Sequence, residues 1–419
     1  MTVRMKICND SLTIRQTIAT FPAKVSILLF FTFLTRLSFF MAWPFLSIIL
    51  NRTYQLTPIA IGALMSGCTF ISIFLGIYGG ALSDRLGRKK LMIFGCLFAI
   101  AGYTSTALAN NVLLFALGLS FISISFSWAD VPGRALMSDL LQDRRRRELA
   151  LQIRYFVINI AAVSGPLIGI TAGLNSQKST FLLTALSYIP FLFFSLFCLD
   201  ADKPAHDDHS DEKREESSGT WQVCRLILRD NVYVVVLISS ILCYLVYSQI
   251  DSVVPQYFLT LDASRAVDLV TVLLVTNAVT VVVAQLYLVP LLANIQLEKR
   301  IVIGALIMAL SQLLFWINPS TSKLWWGGCA AIFSFAEAIL LPNISILLDR
   351  LAPERYRGAY LGASTLVMLG LSLGRIIGGA LLEWWGHNVF FVMSLLCLCV
   401  VFLLYANDKK IQKRLENDI

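Results

Sequence analysis

Apolar runs long enough to cross a bilayer alternate along the chain with short charged segments. A helix crossing ~30 Å of hydrocarbon needs ~20 apolar residues. Runs of that kind fall at 24–50, 58–80, 90–109, 112–138, 150–172, 179–199, 231–258, 267–291, 300–317, 324–348, 358–382 and 387–406. Several exceed the minimum, which accommodates tilt and ends that project into water. The pattern predicts an all-α membrane protein of twelve transmembrane helices. The longest polar break, DADKPAHDDHSDEKREESSGTW, separates six runs from six. It therefore predicts residues 1–199 as an N-terminal six-helix half with a short cytoplasmic tail, 200–230 as a cytoplasmic linker, and 231–419 as a C-terminal half with its own cytoplasmic tail. The break is rich in Asp and Glu and poor in side chains that could pack, so it reads as solvated linker. Its HDDHSDE stretch holds two of the three histidines, a composition also found in zinc-binding tracts, but the spacing singles out no metal set.

The two halves repeat each other. At an offset of 210 residues, Pro132 falls on Pro342, Asp139 on Asp349, Arg147 on Arg357, and Lys89–Lys90 on Lys299–Arg300. At one residue more, Pro44 falls on Pro255. Parallel repetition of six helices describes a class of secondary transporter whose halves rock about a midplane site.

Composition agrees with lipid as the solvent. Of 419 residues, 57% are hydrophobic and 14% charged, well below the ~25% charged usual in soluble domains. The mean hydropathy is +0.73. A net charge of +8 would suggest nucleic acid in a soluble protein; here it reads as orientation, with no nucleic-acid partner expected. With both termini inside, the inside segments carry 26 Lys and Arg, and the outside segments only Arg52, Lys178, Arg265 and Lys323. That bias predicts a multi-pass protein of a bacterial-type inner membrane with both termini cytoplasmic. The N-terminal stretch lacks the pattern of a cleaved secretory signal and is expected to be retained. Nine scattered cysteines form no CxxC pair and read as packing residues, so no metal site is expected. No G-x-x-x-x-G-K-S/T loop is present for nucleotide, and no nucleophile–base pair or metal set stands out for enzymatic chemistry.

The stretch GGALSDRLGRKK between the second and third runs places Gly80, Asp84, Arg85, Gly87, Arg88, Lys89 and Lys90 in one short segment. Gly80 lets a neighbouring helix approach, Gly87 permits a tight turn, and Asp84 and Arg88 can pair with each other, with Asp139 or with a helix end. A plain positive-inside anchor accounts for Arg85, Lys89 and Lys90 but not for the aspartate or glycines. This segment resembles the signature of the major facilitator superfamily, and the resemblance covers nearly the whole chain. It implies that the motif latches the outward-open state and breaks when the halves rock. A weaker match, SGPLIG in the fifth run, resembles the glycine–proline motif of the antiporter branch, carried by Gly165, Pro166 and Gly169. Packing alone would also select those residues.

Ionisable groups inside spans cost at least ~2.5 kcal/mol each and need a reason. Arg36 and Glu337 lie about midway along the first and tenth runs, which the resemblance implies line the cavity. Glu337 is the first candidate for the titrating carboxylate, with a fixed Glu–Arg pair as the alternative. Asp130 comes second, because SWAD (127–130) echoes SFAE (334–337), although Arg134 stands one turn away and is able simply to neutralise it. Asp251, with Tyr244, Tyr247, Gln249 and Gln256, forms a polar, aromatic surface suited to an organic ligand. Arg154 is placed to snorkel, whereas Arg375 lies deeper and is expected to partner Asp251, Glu337 or an anionic substrate. The antiporter branch often carries an arginine in the upper half of the fourth helix, and this chain has none there.

Together these readings describe a proton-coupled exporter of small amphipathic organic compounds that works by alternating access. It is expected to act as a monomer, need no cofactor and be driven by the proton gradient. Siderophore or small-peptide transport, lysophospholipid flipping and a non-transporting membrane sensor are the alternatives.

Overall fold

The computed structural model describes residues 21–141, 144–172, 177–199, 220–288, 292, 295–318, 321–353 and 357–417. Among them are 12 helices long and apolar enough to span a membrane, as the pattern predicts. We number them α1 (Ala23–Tyr54), α2 (Pro58–Leu86), α3 (Arg88–Leu108), α4 (Val112–Met137), α5 (Arg144–Ala172) and α6 (Gln177–Phe197). The second set is α7 (Asn231–Leu261), α8 (Ala266–Val283), α9 (Leu297–Trp316), α10 (Lys323–Arg350), α11 (Gly362–Trp385) and α12 (Asn388–Asn417). Backbone N–H and C=O groups have no water to bond inside hydrocarbon, so the spans are helical throughout.

Two interruptions fall where the sequence removes a donor. Pro44 lies in a 3-10 turn, Trp43–Phe45, that divides α1. Pro132 lacks the N–H that would bond the carbonyl of residue 128, and α4 widens into a π turn over Phe126–Asp130 directly upstream. Gly87 begins α3 with φ 91°, a conformation in which a Cβ would be strained, and it makes the tight turn expected of the motif.

The described residues fall into two packing units, one of residues 21–42 and 71–199, the other of 43–70 and 220–417. The end of α1 and the beginning of α2 thus pack with the C-terminal helices, across the covalent six-plus-six division. Within the first unit, α1 packs on α5 and α6, and α3 on α4 and α6. Within the second, α7 packs on α11 and α12, and α9 on α10 and α12, which is the same set advanced by six helices. The sequence repeat is therefore also a packing repeat. Buried aromatic clusters fill each unit: Tyr103, Phe115, Phe181 and Tyr188 in the first; Trp326 among Tyr257, Phe258 and Phe315 in the second.

Two features of the tails were not legible. The end of the predicted linker forms a short helix, Thr220–Arg229. The cytoplasmic tail expected after residue 406 continues α12 to Asn417, with Ile411 fully buried. Arg414 on that extension pairs with Asp230 at 2.7 Å and donates to the Leu351 carbonyl at 3.0 Å. Asp230 also accepts from the Tyr360 hydroxyl at 2.9 Å and from the Tyr233 amide at 3.2 Å, capping α7. Burial, reinforced by this bond to Asp230, pushes the Tyr360 hydroxyl up to about 12. The segment with the two linker histidines lies outside the described residues.

Close helix approach in α3 depends on Gly95, where a Cβ would stand 2.6 Å from the Ala129 amide nitrogen and 2.7 Å from the Trp128 carbonyl carbon of α4. Both neighbours are backbone and have little freedom to give. Gly95→Val should therefore destabilise the detergent-solubilised protein by about 1–3 kcal/mol, the usual cost of overpacking. Gly328→Val, where a Cβ meets nothing within 4 Å, should melt like the parent. Equal melting temperatures for the two variants would refute the packing account.

Candidate functional site

Asp130, Glu337 and Arg375 each anchor a set of polar contacts between spans, the first in one packing unit and the other two in the second. In the first unit, α1, α4 and α5 converge on Asp130, which stands at the end of the π turn. Arg36 Nη2 and Arg154 Nη2 both donate to Asp130 Oδ1, at 2.6 Å and 2.5 Å, and Arg134 Nε lies 3.5 Å from Oδ2. The side chains of Arg36 and Arg154 are only 13% and 11% exposed, so these are desolvated pairs in which one carboxylate faces three guanidinium groups. The Arg36 guanidinium also sits 4.1 Å from the centroid of the Phe126 ring, a favourable cation–π distance. A cavity of about 40 Å³, room for roughly three waters, is lined by Arg36, Arg134, Arg154, Asp130, Tyr188 and their neighbours. Two expectations are corrected here. Arg154 does not snorkel but is held by Asp130, and Asp130 is not neutralised by Arg134 alone.

In the second unit, Glu337 on α10 accepts from Asn277 Nδ2 at 2.6 Å and from the Tyr247 hydroxyl at 3.1 Å. Asn277, on α8, also donates to Ser334 at 2.9 Å, and Tyr247 stacks on Phe333 with ring centroids 6.0 Å apart. Every bonded partner of Glu337 among the described residues is neutral, so the fixed Glu–Arg pair does not form. Tyr247 reaches it from α7, a neighbour that single-helix spacing could not reveal.

Arg375 on α11 pairs with Asp251 of α7 at 2.7 Å, the first of the partners expected for it, and also donates to Thr69 of α2. Around that bond, the beginning of α2 is fastened along α11. Ser372 Oγ donates to the Ser66 carbonyl at 3.0 Å, Ser66 returns a bond to the Ser372 carbonyl, and Glu383 accepts from the Ile59 amide at 3.0 Å. Gln249 is not on the surface with Tyr247. It is fully buried, and its amide donates to the carbonyls of Leu245 and Gly374 at 2.7 Å and 3.0 Å, in the α7–α11 contact.

In the motif between α2 and α3, Arg88 pairs with Asp139, and Lys89 donates to the Leu199 carbonyl at 2.7 Å. The Arg88–Asp139 pair is partly exposed, so by itself it is worth ~1 kcal/mol or less. Lys90 is exposed. The side chains of Asp84 and Arg85 and the surroundings of Gly80 lie outside what the structure describes. The glycine–proline motif is a contact surface between α5 and α1: a Cβ on Gly165 would stand 2.6 Å from Phe40 Cβ, and one on Gly169 2.6 Å from the Met41 carbonyl oxygen. Pro166 is buried between them within continuous helix.

The family model described as Major Facilitator Superfamily matches residues 28–368, and the chain belongs to that family. An uncharacterized MFS-type transporter of Bacillus subtilis, YqjV, is 25% identical over 90% of this chain and 91% of its own length. A Na(+), Li(+), K(+)/H(+) antiporter of Planococcus maritimus is 25% identical, over 86% of this chain and 90% of its own. The multidrug resistance protein MdtH of Escherichia coli is also 25% identical, covering 83% of both chains. Among solved structures, a peptide transporter POT superposes with a TM-score of 0.76 at 16% identity, over 96% of this chain and 99% of the other. The nucleoside transporter NupG gives 0.75 at 13%, over 92% and 99%. These two establish the fold. The protein is accordingly a multi-pass secondary transporter for a small-molecule substrate and not an enzyme.

Removing one partner of a buried ion pair leaves a charge without compensation, at ~3–5 kcal/mol. Arg375→Ala should therefore lower the melting temperature of the purified protein markedly, and adding Asp251→Asn to it should recover part of the loss. A double variant no more stable than Arg375→Ala would show that Arg375 acts through its contacts with α2 rather than through Asp251.

Proposed function

We propose that the protein is a proton-coupled exporter of small amphipathic organic compounds, within the drug and metabolite efflux branch of its family. One observation carries this reading: among the described residues, Glu337, deep in α10, is bonded only to the neutral donors Tyr247 and Asn277. A carboxylate so held can take up and release a proton without orphaning a buried cation, which Asp130 and Asp251 cannot do. The similarity to MdtH supports export, and the similarity to an antiporter that exchanges monovalent cations for protons supports proton coupling. The excess of Lys and Arg on alternate segments supports an inner-membrane orientation with both termini cytoplasmic. In this reading the Asp84–Arg88 motif acts as a cytosolic latch, and the protein works as a monomer.

The experiment is transport in proteoliposomes with an imposed pH gradient, using a panel of organic compounds together with sodium, lithium and potassium. The parent should move an organic compound uphill. Glu337→Gln should abolish that uphill movement while leaving downhill exchange of the same compound measurable, because substrate contacts persist when the proton site is lost. Uphill transport at the parental rate in Glu337→Gln would remove this residue from the coupling mechanism. Gradient-driven movement of the cations alone would replace the organic substrate.

A further inference from the structure

The cluster around Asp130 has more positive charge than its fold requires. Asp130 supplies the only negative charge among the described residues that bond there, against Arg36, Arg154 and the half-exposed Arg134. The local balance is two positive charges in excess, inside a membrane span where uncompensated charge is costly. Neutralising Asp130 needs one arginine, yet both Arg36 and Arg154 are almost wholly withdrawn from solvent to reach it. Each uses a single N–H on Asp130 Oδ1, and its remaining donors have no other partner among the described residues. Both guanidinium groups line the same cavity, with Tyr188 and Phe126 on its wall. The Phe126 ring packs against the Arg36 guanidinium at 4.1 Å from its centroid, on the wall of the same cavity.

We infer that this cavity is a binding subsite for the oxyanion of the transported compound, most directly a carboxylate. The inference deepens the exporter reading and rests on it for the word "transported"; the binding itself does not. Guanidinium groups present paired donors that match both oxygens of a carboxylate, and such charge-assisted bonds are stronger and shorter than neutral ones. A cavity of about 40 Å³ accommodates a charged head but not an organic body, so the head enters it and the apolar remainder lies outside. The bound anion would offset one of the two excess charges. The substrate class is thereby narrowed from amphipathic compounds in general to amphipathic acids.

The test is binding to the purified full-length protein in detergent, with no gradient. The probes are 4-phenylbutyrate, its uncharged amide and 4-phenylbutylamine, read by the shift in melting temperature across a concentration series. The carboxylate should stabilise the parent, and the amide and amine should do so at least tenfold less potently. Arg36→Gln and Arg154→Gln each leave Asp130 with other arginines and should still fold. In each, the apparent affinity for 4-phenylbutyrate should fall about tenfold or more, the loss expected for one charge-assisted bond. Arg36→Lys should recover part of it, because the charge returns without the paired donors. Equal stabilisation by amide and carboxylate, or undiminished carboxylate affinity in both glutamine variants, would overturn the proposal. So would an arginine-dependent response to phosphatidylglycerol with none to 4-phenylbutyrate, which would assign the cavity to a lipid headgroup. Carboxylate binding without pH-driven efflux would leave the subsite standing and remove only the exporter reading.

Discussion

An arginine or carboxylate carried into hydrocarbon must find its partner on another helix or pay ~2.5 kcal/mol or more, and this requirement decides which spans of the protein must meet. Asp130 draws α1 and α5 to α4 through Arg36 and Arg154. Arg375 joins α11 to α7 through Asp251 and to α2 through Thr69. Glu337 gathers α7 and α8 onto α10 through Tyr247 and Asn277. Apolar surface gives little direction to helix association in lipid, since the tails are as apolar as leucine. Polar partners and small residues supply that direction instead, and the glycines of α3 and α5 bring backbones close enough for the polar groups to reach one another.

The repeat shows how far one packing scheme serves both halves. The pairs α1–α5 and α3–α4 recur as α7–α11 and α9–α10. The chemistry placed on the scheme has diverged. In α4 a π turn precedes Pro132 and presents Asp130 to three arginines, whereas α10 runs as α-helix past Pro342 and presents Glu337 to neutral donors. The serines of the two echoing tetrapeptides remain buried in both halves, Ser127 donating to the Ser72 carbonyl at 2.8 Å and Ser334 accepting from Asn277 at 2.9 Å.

The twelve spans could be read from the sequence because lipid imposes a length and a composition that each run meets by itself. The repeat was legible for the same reason, since prolines and loop charges keep their register. The identities of the charged residues were legible, but their partners mostly were not. Arg154 to Asp130 and Tyr247 to Glu337 are contacts between helices, and spacing along one helix gives only the neighbours three or four residues away. That limitation is why Asp130 reads as the partner of Arg134, which is in fact the most distant of the three arginines paired with it. Gln249 illustrates the opposite error. A polar residue on a cavity-side helix looks available for a ligand, yet helix packing consumes it, because the Gly374 carbonyl on α11 accepts from its amide at 3.0 Å. The helical continuation to Asn417 was obscured by charge, as DKKIQKRLEN reads as solvated tail until Ile411 and Arg414 are seen to have partners.

Three carboxylates on the spans occupy three electrostatic settings, and the difference constrains which one can carry a proton through a cycle. Protonating Asp130 would leave Arg36, Arg154 and Arg134 facing one another around a neutral group, an arrangement that repulsion in a low dielectric opposes. Protonating Asp251 would leave the buried Arg375 with the Thr69 hydroxyl and, among the described residues, no counter-charge. Protonating Glu337 orphans no cation. Its acid form becomes a donor, and the Tyr247 hydroxyl, which donates to the carboxylate, can turn to accept from it, since a hydroxyl serves either way. Asn277 bonds the other oxygen and has a second partner in Ser334, so its position is kept in both forms. A site that changes charge while its supporting contacts persist is the kind of element whose two states lie close enough in energy for a modest gradient to choose between them.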